Sequence, residues 1–262
     1  MNKDLSYADD GISCVNGFLP SEEVKILNNE LDYLFSKKSI NGSLGTITLN
    51  KHTSHLMMPT LSVRSVNLLE LSLRVKKEFE KSNENFSSYV NTQIEIIQET
   101  RNPNILGWHT DNRPGMVRAM LYLDVDKEKS GMFRYMKKSH KRDFHVEHYL
   151  NKQQIETYTP NIVTCNVPEG TLILFDTLGF HGREKCLGRR RILMFEFQPQ
   201  NTSYTKSAVP LSSRNLTNNV LNNLSVFLNG ATEYNHGGDK FYRNPPSSNI
   251  IQRISRKFNR NS

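Results

Sequence analysis

The stretch Gly170-Thr171-Leu172-Ile173-Leu174-Phe175-Asp176-Thr177-Leu178-Gly179-Phe180-His181-Gly182 is an apolar, β-favouring run that ends in a turn and a histidine. Pro168 and Glu169 stand before it, which predicts a tight turn leading into a buried strand. Other short β-rich runs are found at 93–98, 116–123, 131–136, 161–167 and 190–197. Because helical patterns are gathered ahead of these runs, the sequence predicts an α+β, mainly β chain built on a β-sandwich or barrel.

The segments before the β-rich region carry helical spacing of apolar residues. One helix is predicted over 21–36, with Ser21 as its N-cap, and a second within 61–81. A short strand is expected over 11–15 and a helical insert over 143–157. The sequence therefore predicts helices packed outside a β core.

The polar segment 37–60 is expected to be loop and short strand, so we interpret its His52 and His55 as loop histidines. Residues 1–200 are expected to form a single domain. Residues 201–262 are rich in Ser, Thr and Asn and are expected to be a partly helical C-terminal extension with a poorly ordered tail. No internal repeat and no sharp change in composition indicates a second domain.

Composition limits the partners and the compartment. The chain has 262 residues, a formal net charge of +8 and three cysteines. The charge favours an anionic or carrier-bound substrate, but no nucleic-acid-binding module accompanies it, so no specific nucleic acid is expected. The sequence shows no membrane-spanning run and no secretory signal, and its few cysteines fit a reducing compartment, so a cytoplasmic location is expected.

The segment Trp108-His109-Thr110-Asp111 brings an imidazole and a carboxylate two residues apart, just after a predicted strand. Residues two apart on an extended chain point to the same face, so His109 and Asp111 can aim at one point. His181 is the best candidate for a third ligand. Two histidines and one carboxylate with open opposite positions are typical of non-haem Fe(II) oxygenases.

A cation near such a metal would hold the far carboxylate of an oxo-acid co-substrate, and arginine does this best because its planar fork can make two hydrogen bonds. Three arginines, Arg189, Arg190 and Arg191, open the apolar run that follows His181. From the residues alone, a solvated turn remains an equal interpretation of this triplet.

The order of these motifs resembles the phytanoyl-CoA dioxygenase family of Fe(II)/2-oxoglutarate-dependent oxygenases. The resemblance rests on the His-x-Asp pair, GTLILFDTLGFHG and GRRRILMFEF, and on DDGISCVNGFLPSEEVKILNNELDYL and VRAMLYLDVDKEKSGMFRYMKKSHK. It covers about residues 8–200. It implies a double-stranded β-helix, also called a jelly roll, with helices packed outside.

The same resemblance implies roles for individual residues. His109, Asp111 and His181 would hold Fe(II). Arg190 would anchor 2-oxoglutarate, since the family spacing from the distal histidine favours it over its two neighbours. Gln98 and Thr177 stand where the family often contacts the co-substrate.

The implied reaction consumes O2 and 2-oxoglutarate and hydroxylates an unactivated C–H bond of a small-molecule or carrier-bound substrate. Family members that halogenate lack the acid found here as Asp111, so the resemblance favours hydroxylation. Two alternatives stay open: a catalytically inactive jelly-roll binding module, and a hydroxylase or demethylase of a macromolecule. The oligomeric state is not predicted.

Overall fold

The computed structural model describes residues 5–36, 46–49, 51–59, 66–111, 115–126, 128–141 and 150–199. The predicted extension 201–262 and the first half of the predicted insert at 143–157 lie outside the described residues. The helices of the described chain are α1 (Tyr7–Asp10), α2 (Ser21–Ser36), α3 (Val66–Ser82) and α4 (Lys152–Tyr158). No helix within these ranges is long and apolar enough to cross a membrane.

The strands form two antiparallel sheets. They are β1 (Ile12–Val15), β2 (Thr46–Leu49), β3 (Thr53–Pro59), β4 (Tyr89–Asn102), β5 (Leu106–His109), β6 (Val117–Val125), β7 (Phe133–Met136), β8 (Ile162–Cys165), β9 (Leu172–Asp176), β10 (His181–Arg183) and β11 (Cys186–Pro199). The larger sheet has the order β1-β9-β6-β11-β4-β3-β2, and the smaller sheet has the order β5-β10-β7-β8. This mainly β, two-sheet arrangement confirms the predicted fold class.

The larger sheet is buried on both faces, because its strands are apolar at successive positions. On its inner face, side chains pack against the smaller sheet; they include Met120, Tyr122, Ile173, Phe175, Ile192 and Met194 from the larger sheet and Phe133, Tyr135, Val163 and Cys165 from the smaller. On its outer face, alternate residues such as Leu121, Leu174 and Leu193 pack in one cluster with residues of α2 and α3. The functional residues can therefore be assigned to an inner or an outer face by strand alternation.

Helix α2 is attached to the outer face by polar contacts as well as by its apolar stripe. The Asn28 side-chain amide donates to the Leu123 carbonyl at 2.8 Å. Arg191 of β11 donates to the Asn28 side-chain oxygen at 2.9 Å and pairs with Asp32. These contacts fix the helix across β6 and β11, on the face away from the smaller sheet.

The strands and helices lie close to their predicted positions, with informative exceptions. Helix α2 has the predicted bounds, and the second helix begins at Val66. The sequence did not predict β5 and β10, which are short and hold glycines within or beside them. His55 lies on strand β3, not in a loop, and its Nε2 is 3.0 Å from Oε2 of Glu95 on the neighbouring strand. The interpretation of His55 as a loop residue was therefore wrong.

Asp176 at the end of β9 makes stability depend on pH. Burial raises the pKa of its carboxyl from 3.8 to about 6, against a hydrogen bond from the Leu178 amide that lowers it. Because the pKa is higher in the folded state than in the unfolded state, ionisation of Asp176 destabilises the fold. This loss of stability is absent at a pH below the pKa of the unfolded state and complete at a pH above the pKa of the folded state. Asp176→Asn keeps an acceptor for Leu178 and removes the ionisation.

We expect Asp176→Asn to raise the free energy of unfolding by about 1–2 kcal/mol at about pH 8, and by much less at about pH 4.5. Urea unfolding at the two pH values measures the difference. An equal effect at both values would contradict the assigned pKa.

Candidate metal centre

The three predicted ligands converge at one end of the smaller sheet. Strands β5 and β10 pair antiparallel with His109 directly opposite His181, and their ring centroids are 4.4 Å apart. Asp111 follows β5, and its backbone N–H donates to the Thr177 carbonyl at 3.0 Å. One ligand atom from each of the three residues lies within 4.8 Å of the others. Among the described residues, this is the one group of three or more His, Cys, Asp or Glu side chains arranged to hold a metal.

Both histidines are oriented by their own backbone. Nδ1 of His109 is 2.8 Å from the Gly107 carbonyl, and Nδ1 of His181 is 2.8 Å from the Gly179 carbonyl. A carbonyl oxygen only accepts, so each Nδ1 carries the proton and each Nε2 keeps its lone pair. These carbonyl contacts leave Nε2 as the nitrogen of each ring that could bind a metal.

The electrostatic setting keeps His181 neutral. Burial, together with the neighbouring His109, lowers the pKa of His181 to about 3. A metal-ligating imidazole must be neutral, so no proton has to be displaced from it before binding. Two imidazoles and one carboxylate, in the geometry just described, fit a divalent iron ion with its remaining positions open.

Gly182 permits the close approach of β5 and β10. A Cβ at this position would lie 2.6 Å from the Leu106 carbonyl oxygen and 3.0 Å from that of Gly107. Both contacts are backbone, so the strands would have to separate. Gly107 is also the residue whose carbonyl orients His109.

We therefore expect Gly182→Ala to weaken Fe(II) binding about tenfold, because it moves one histidine away from the other. Anaerobic iron titration would measure the loss. Gly17→Ala is the control for introducing a methyl group, since nothing lies within 4 Å of a Cβ there, although its positive φ carries its own strain. Equal iron affinity in wild type and Gly182→Ala would contradict this role.

The three arginines at the start of β11 have different surroundings. Arg189 is exposed and pairs with Asp124 at 2.6 Å. Arg191 lies on the outer face, where it contacts helix α2. Arg190 shares the inner face with Ile192 and Met194, and it is buried. Strand alternation therefore directs Arg190 alone of the three toward the interior between the sheets.

Inside the barrel, Arg190 forms one end of a charged cluster. It pairs with Glu99 and donates to the Gly131 carbonyl at 2.8 Å. Glu99 also pairs with Arg183, at 2.7 Å. Arg183 stands two residues beyond His181 on β10, so its side chain points to the same face as that ligand. Two guanidinium groups around one carboxylate give this cluster a net positive charge.

The other two predicted co-substrate contacts lie in different places. Thr177 is fully buried and adjoins the triad: its carbonyl accepts from Asp111, and its hydroxyl donates to the Met116 carbonyl at 2.8 Å. The position of Gln98 differs from the one expected for a co-substrate contact. Its side-chain oxygen accepts from Arg191 at 2.6 Å on the outer face, because it is paired with that residue in the register of β4 and β11.

Two arginines near the triad were missed from the sequence. Arg183 follows His181 by two positions, and Arg118 of β6 lies 3.3 Å from Oδ2 of Asp111. The available signal for Arg118 was a lone charge within the otherwise apolar run Met116–Leu123.

Comparison with known proteins agrees with this geometry. The model of the phytanoyl-CoA dioxygenase family matches residues 102–188, which contain all three predicted ligands. Over these residues the chain is similar to the phytanoyl-CoA dioxygenase family. Fold, family match and ligand triad together identify an Fe(II)/2-oxoglutarate-dependent oxygenase, as the sequence predicted. Among curated protein sequences, none matches this chain.

Solved structures share the fold at low sequence identity. HygX from Streptomyces hygroscopicus, with nickel, 2-oxoglutarate and hygromycin B bound, is 18% identical with a TM-score of 0.56, and the match covers 74% of this chain and 85% of that one. EctD from S. alaskensis is 14% identical with a TM-score of 0.62, over 74% of each chain. The 2-oxoglutarate-dependent epimerase SnoN from nogalamycin biosynthesis is 14% identical with a TM-score of 0.58, over 79% of this chain and 88% of that one. The chain therefore shares the jelly-roll fold of these structures.

Proposed function

We propose that the chain is a dioxygenase that hydroxylates an unactivated C–H bond of a small molecule, using Fe(II) held by His109, Asp111 and His181. The observation that carries this proposal is the convergence of one ligand atom from each of these three residues within 4.8 Å, at the end of a jelly roll. The presence of Asp111 favours hydroxylation over halogenation, since the acid fills the position that a halide would need.

Bound iron supplies the activation of O2, and the overall reaction converts substrate, O2 and 2-oxoglutarate into hydroxylated substrate, succinate and CO2. The chain's own part is to position these groups. The carbonyls of Gly107 and Gly179 hold the two imidazoles in the metal-binding tautomer. The carbonyl of Thr177 holds the backbone of Asp111.

Arg190 is the proposed anchor for the far carboxylate of 2-oxoglutarate. Its position on the inner face supports this role. Arg190 and Arg183 both pair with the single carboxylate of Glu99, so one positive charge remains for a second carboxylate. Tyr122 belongs to the same region: its buried phenol accepts from the Phe133 N–H at 3.3 Å, and Arg190 opposes the raised pKa that burial gives it. Arginine recognises carboxylates well because several of its donors lie in one plane.

The substrate is proposed to be a small molecule. The related structures contain small organic ligands: hygromycin B in HygX, 5-hydroxyectoine in EctD and nogalamycin RO in SnoN. The formal charge of +8 adds the narrower expectation of an anionic or carrier-bound substrate. The free thiols of Cys14, Cys165 and Cys186 support a cytoplasmic location.

The test is aerobic incubation with Fe(II), 2-oxoglutarate and a panel of small molecules, with succinate as the readout. We expect iron-dependent succinate that rises when a substrate is present. A protein that binds no iron when purified anaerobically, and forms no succinate above background, would favour the alternative of a metal-free binding module.

A further inference from the structure

The two oxygens of the Asp111 carboxylate have different neighbours. Oδ1 is 3.8 Å from Nε2 of His181, so it faces the centre of the triad. Oδ2 is 3.3 Å from Nη1 of Arg118, on the side of the larger sheet. A carboxylate can bind a metal through one oxygen or through both. In this geometry Oδ1 faces the position proposed for the metal, and Oδ2 faces the guanidinium of Arg118.

Arg118 is itself held by acids on two other strands of the same sheet, the adjacent β11 and the next strand β4. Its Nη2 is 3.0 Å from Oε2 of Glu196 on β11 and 3.6 Å from Oε1 of Glu95 on β4. Both acids are buried. Each also has further partners: Thr92 and Gln198 donate to Glu196, and Gln93 donates to Glu95.

Electrostatics support a fixed guanidinium at this place. Burial alone would raise the pKa of Glu95, but Arg118 and His55 lower it to about 2. Glu95 is therefore ionised at neutral pH and attracts Arg118. Movement of Arg118 away from Glu95 and Glu196 would leave buried carboxylates without a compensating charge. Arg118 is therefore held in place beside Asp111.

We propose that Arg118 is a positioning residue that holds Oδ2 of Asp111, so that only Oδ1 reaches the metal and the opposite positions stay open for the co-substrate. The inference rests on the proposed function and deepens it. Without Arg118, the carboxylate can turn and bring both oxygens to the metal, which would occupy a position that 2-oxoglutarate needs. Iron affinity would then persist while 2-oxoglutarate affinity falls.

The experiment compares Arg118→Gln and Arg118→Lys with wild type under anaerobic conditions. Fe(II) is titrated first, and 2-oxoglutarate is then added while the visible charge-transfer absorption of the iron–2-oxoglutarate complex is followed. We expect Arg118→Gln to bind Fe(II) within about threefold of wild type and to bind 2-oxoglutarate about tenfold more weakly. Arg118→Lys keeps a cation near Oδ2 and is expected to recover most of that affinity.

Arg191→Gln is the matched control, because it removes another buried arginine of the same sheet that contacts α2 and not Asp111. It is expected to lose stability without a change in 2-oxoglutarate affinity. Unchanged 2-oxoglutarate affinity in Arg118→Gln, or an equal loss of iron and 2-oxoglutarate, would overturn the inference. A wild type that binds no iron would instead overturn the proposed function.

If thermal unfolding shows that Arg118→Gln does not fold, Glu196→Gln takes its place. This change loosens Arg118 without touching Asp111, so we expect 2-oxoglutarate to bind about threefold more weakly with iron affinity unchanged. No change in either affinity would overturn the inference by this second route.

Discussion

Replacing Asp111 with alanine is expected to abolish iron-dependent formation of succinate, with a loss of at least about a hundredfold. The variant removes the one anionic ligand of the triad and leaves two neutral imidazoles whose Nε2 atoms bind Fe(II) weakly on their own. It also leaves Arg118 without one of its carboxylate partners, although Glu196 and Glu95 remain. Anaerobic iron titration and succinate measurement would follow the two losses together.

Asp124→Ala is the matched control for this change. Asp124 lies on β6 and pairs with the exposed Arg189. Its removal therefore costs one surface ion pair, which is less buried than the pair between Asp111 and Arg118. We expect iron binding and succinate formation to match the wild type. Retention of iron-dependent turnover by Asp111→Ala would contradict the assignment of this carboxylate as a ligand.

Replacing Arg190 with glutamine is expected to raise KM for 2-oxoglutarate by about 30- to 100-fold, because a buried guanidinium paired with a carboxylate is worth about 2–3 kcal/mol. Fe(II) affinity should change little, since Arg190 touches none of the three ligands in the described contacts. Arg183 remains to neutralise Glu99, which limits the cost in stability. Initial rates at varied 2-oxoglutarate measure the effect.

The neighbouring residue supplies the comparison. Arg191→Gln changes the next position of the same strand but affects only the outer face, where Arg191 contacts Asn28 and Asp32. Its KM for 2-oxoglutarate should stay within about twofold of wild type. If KM for 2-oxoglutarate rose more in Arg191→Gln than in Arg190→Gln, Arg191 would be the anchor, and the assignment of Arg190 to that role would be contradicted.

The convergence of the three triad residues was predictable from the sequence because it depends on local spacing and little on the rest of the fold. His109 and Asp111 are two residues apart at the end of a strand, and His181 follows a strongly β-favouring run, so their convergence needs only two paired strands. Arg190 was preferred over its neighbours by a spacing typical of the resembling family. The structure directs it inward through strand alternation.

Gln98 and Arg118 show where sequence reasoning ended. The face of a strand residue depends on the phase of its pairing, and β11 is irregular against both β4 and β6. That phase put Gln98 opposite Arg191, on the outer face. Arg118 reaches Asp111 only because β6 lies beside β9 and β11 in the sheet order, and no local pattern encodes this order.

The most direct measurement of the central claim is anaerobic addition of Fe(II) and 2-oxoglutarate to the wild-type chain. The account predicts one iron bound per chain, and a visible charge-transfer absorption that appears only when both are present and is absent from Asp111→Ala. A wild type that retains no iron and shows no absorption dependent on 2-oxoglutarate would contradict the assignment of His109, Asp111 and His181 as an iron centre.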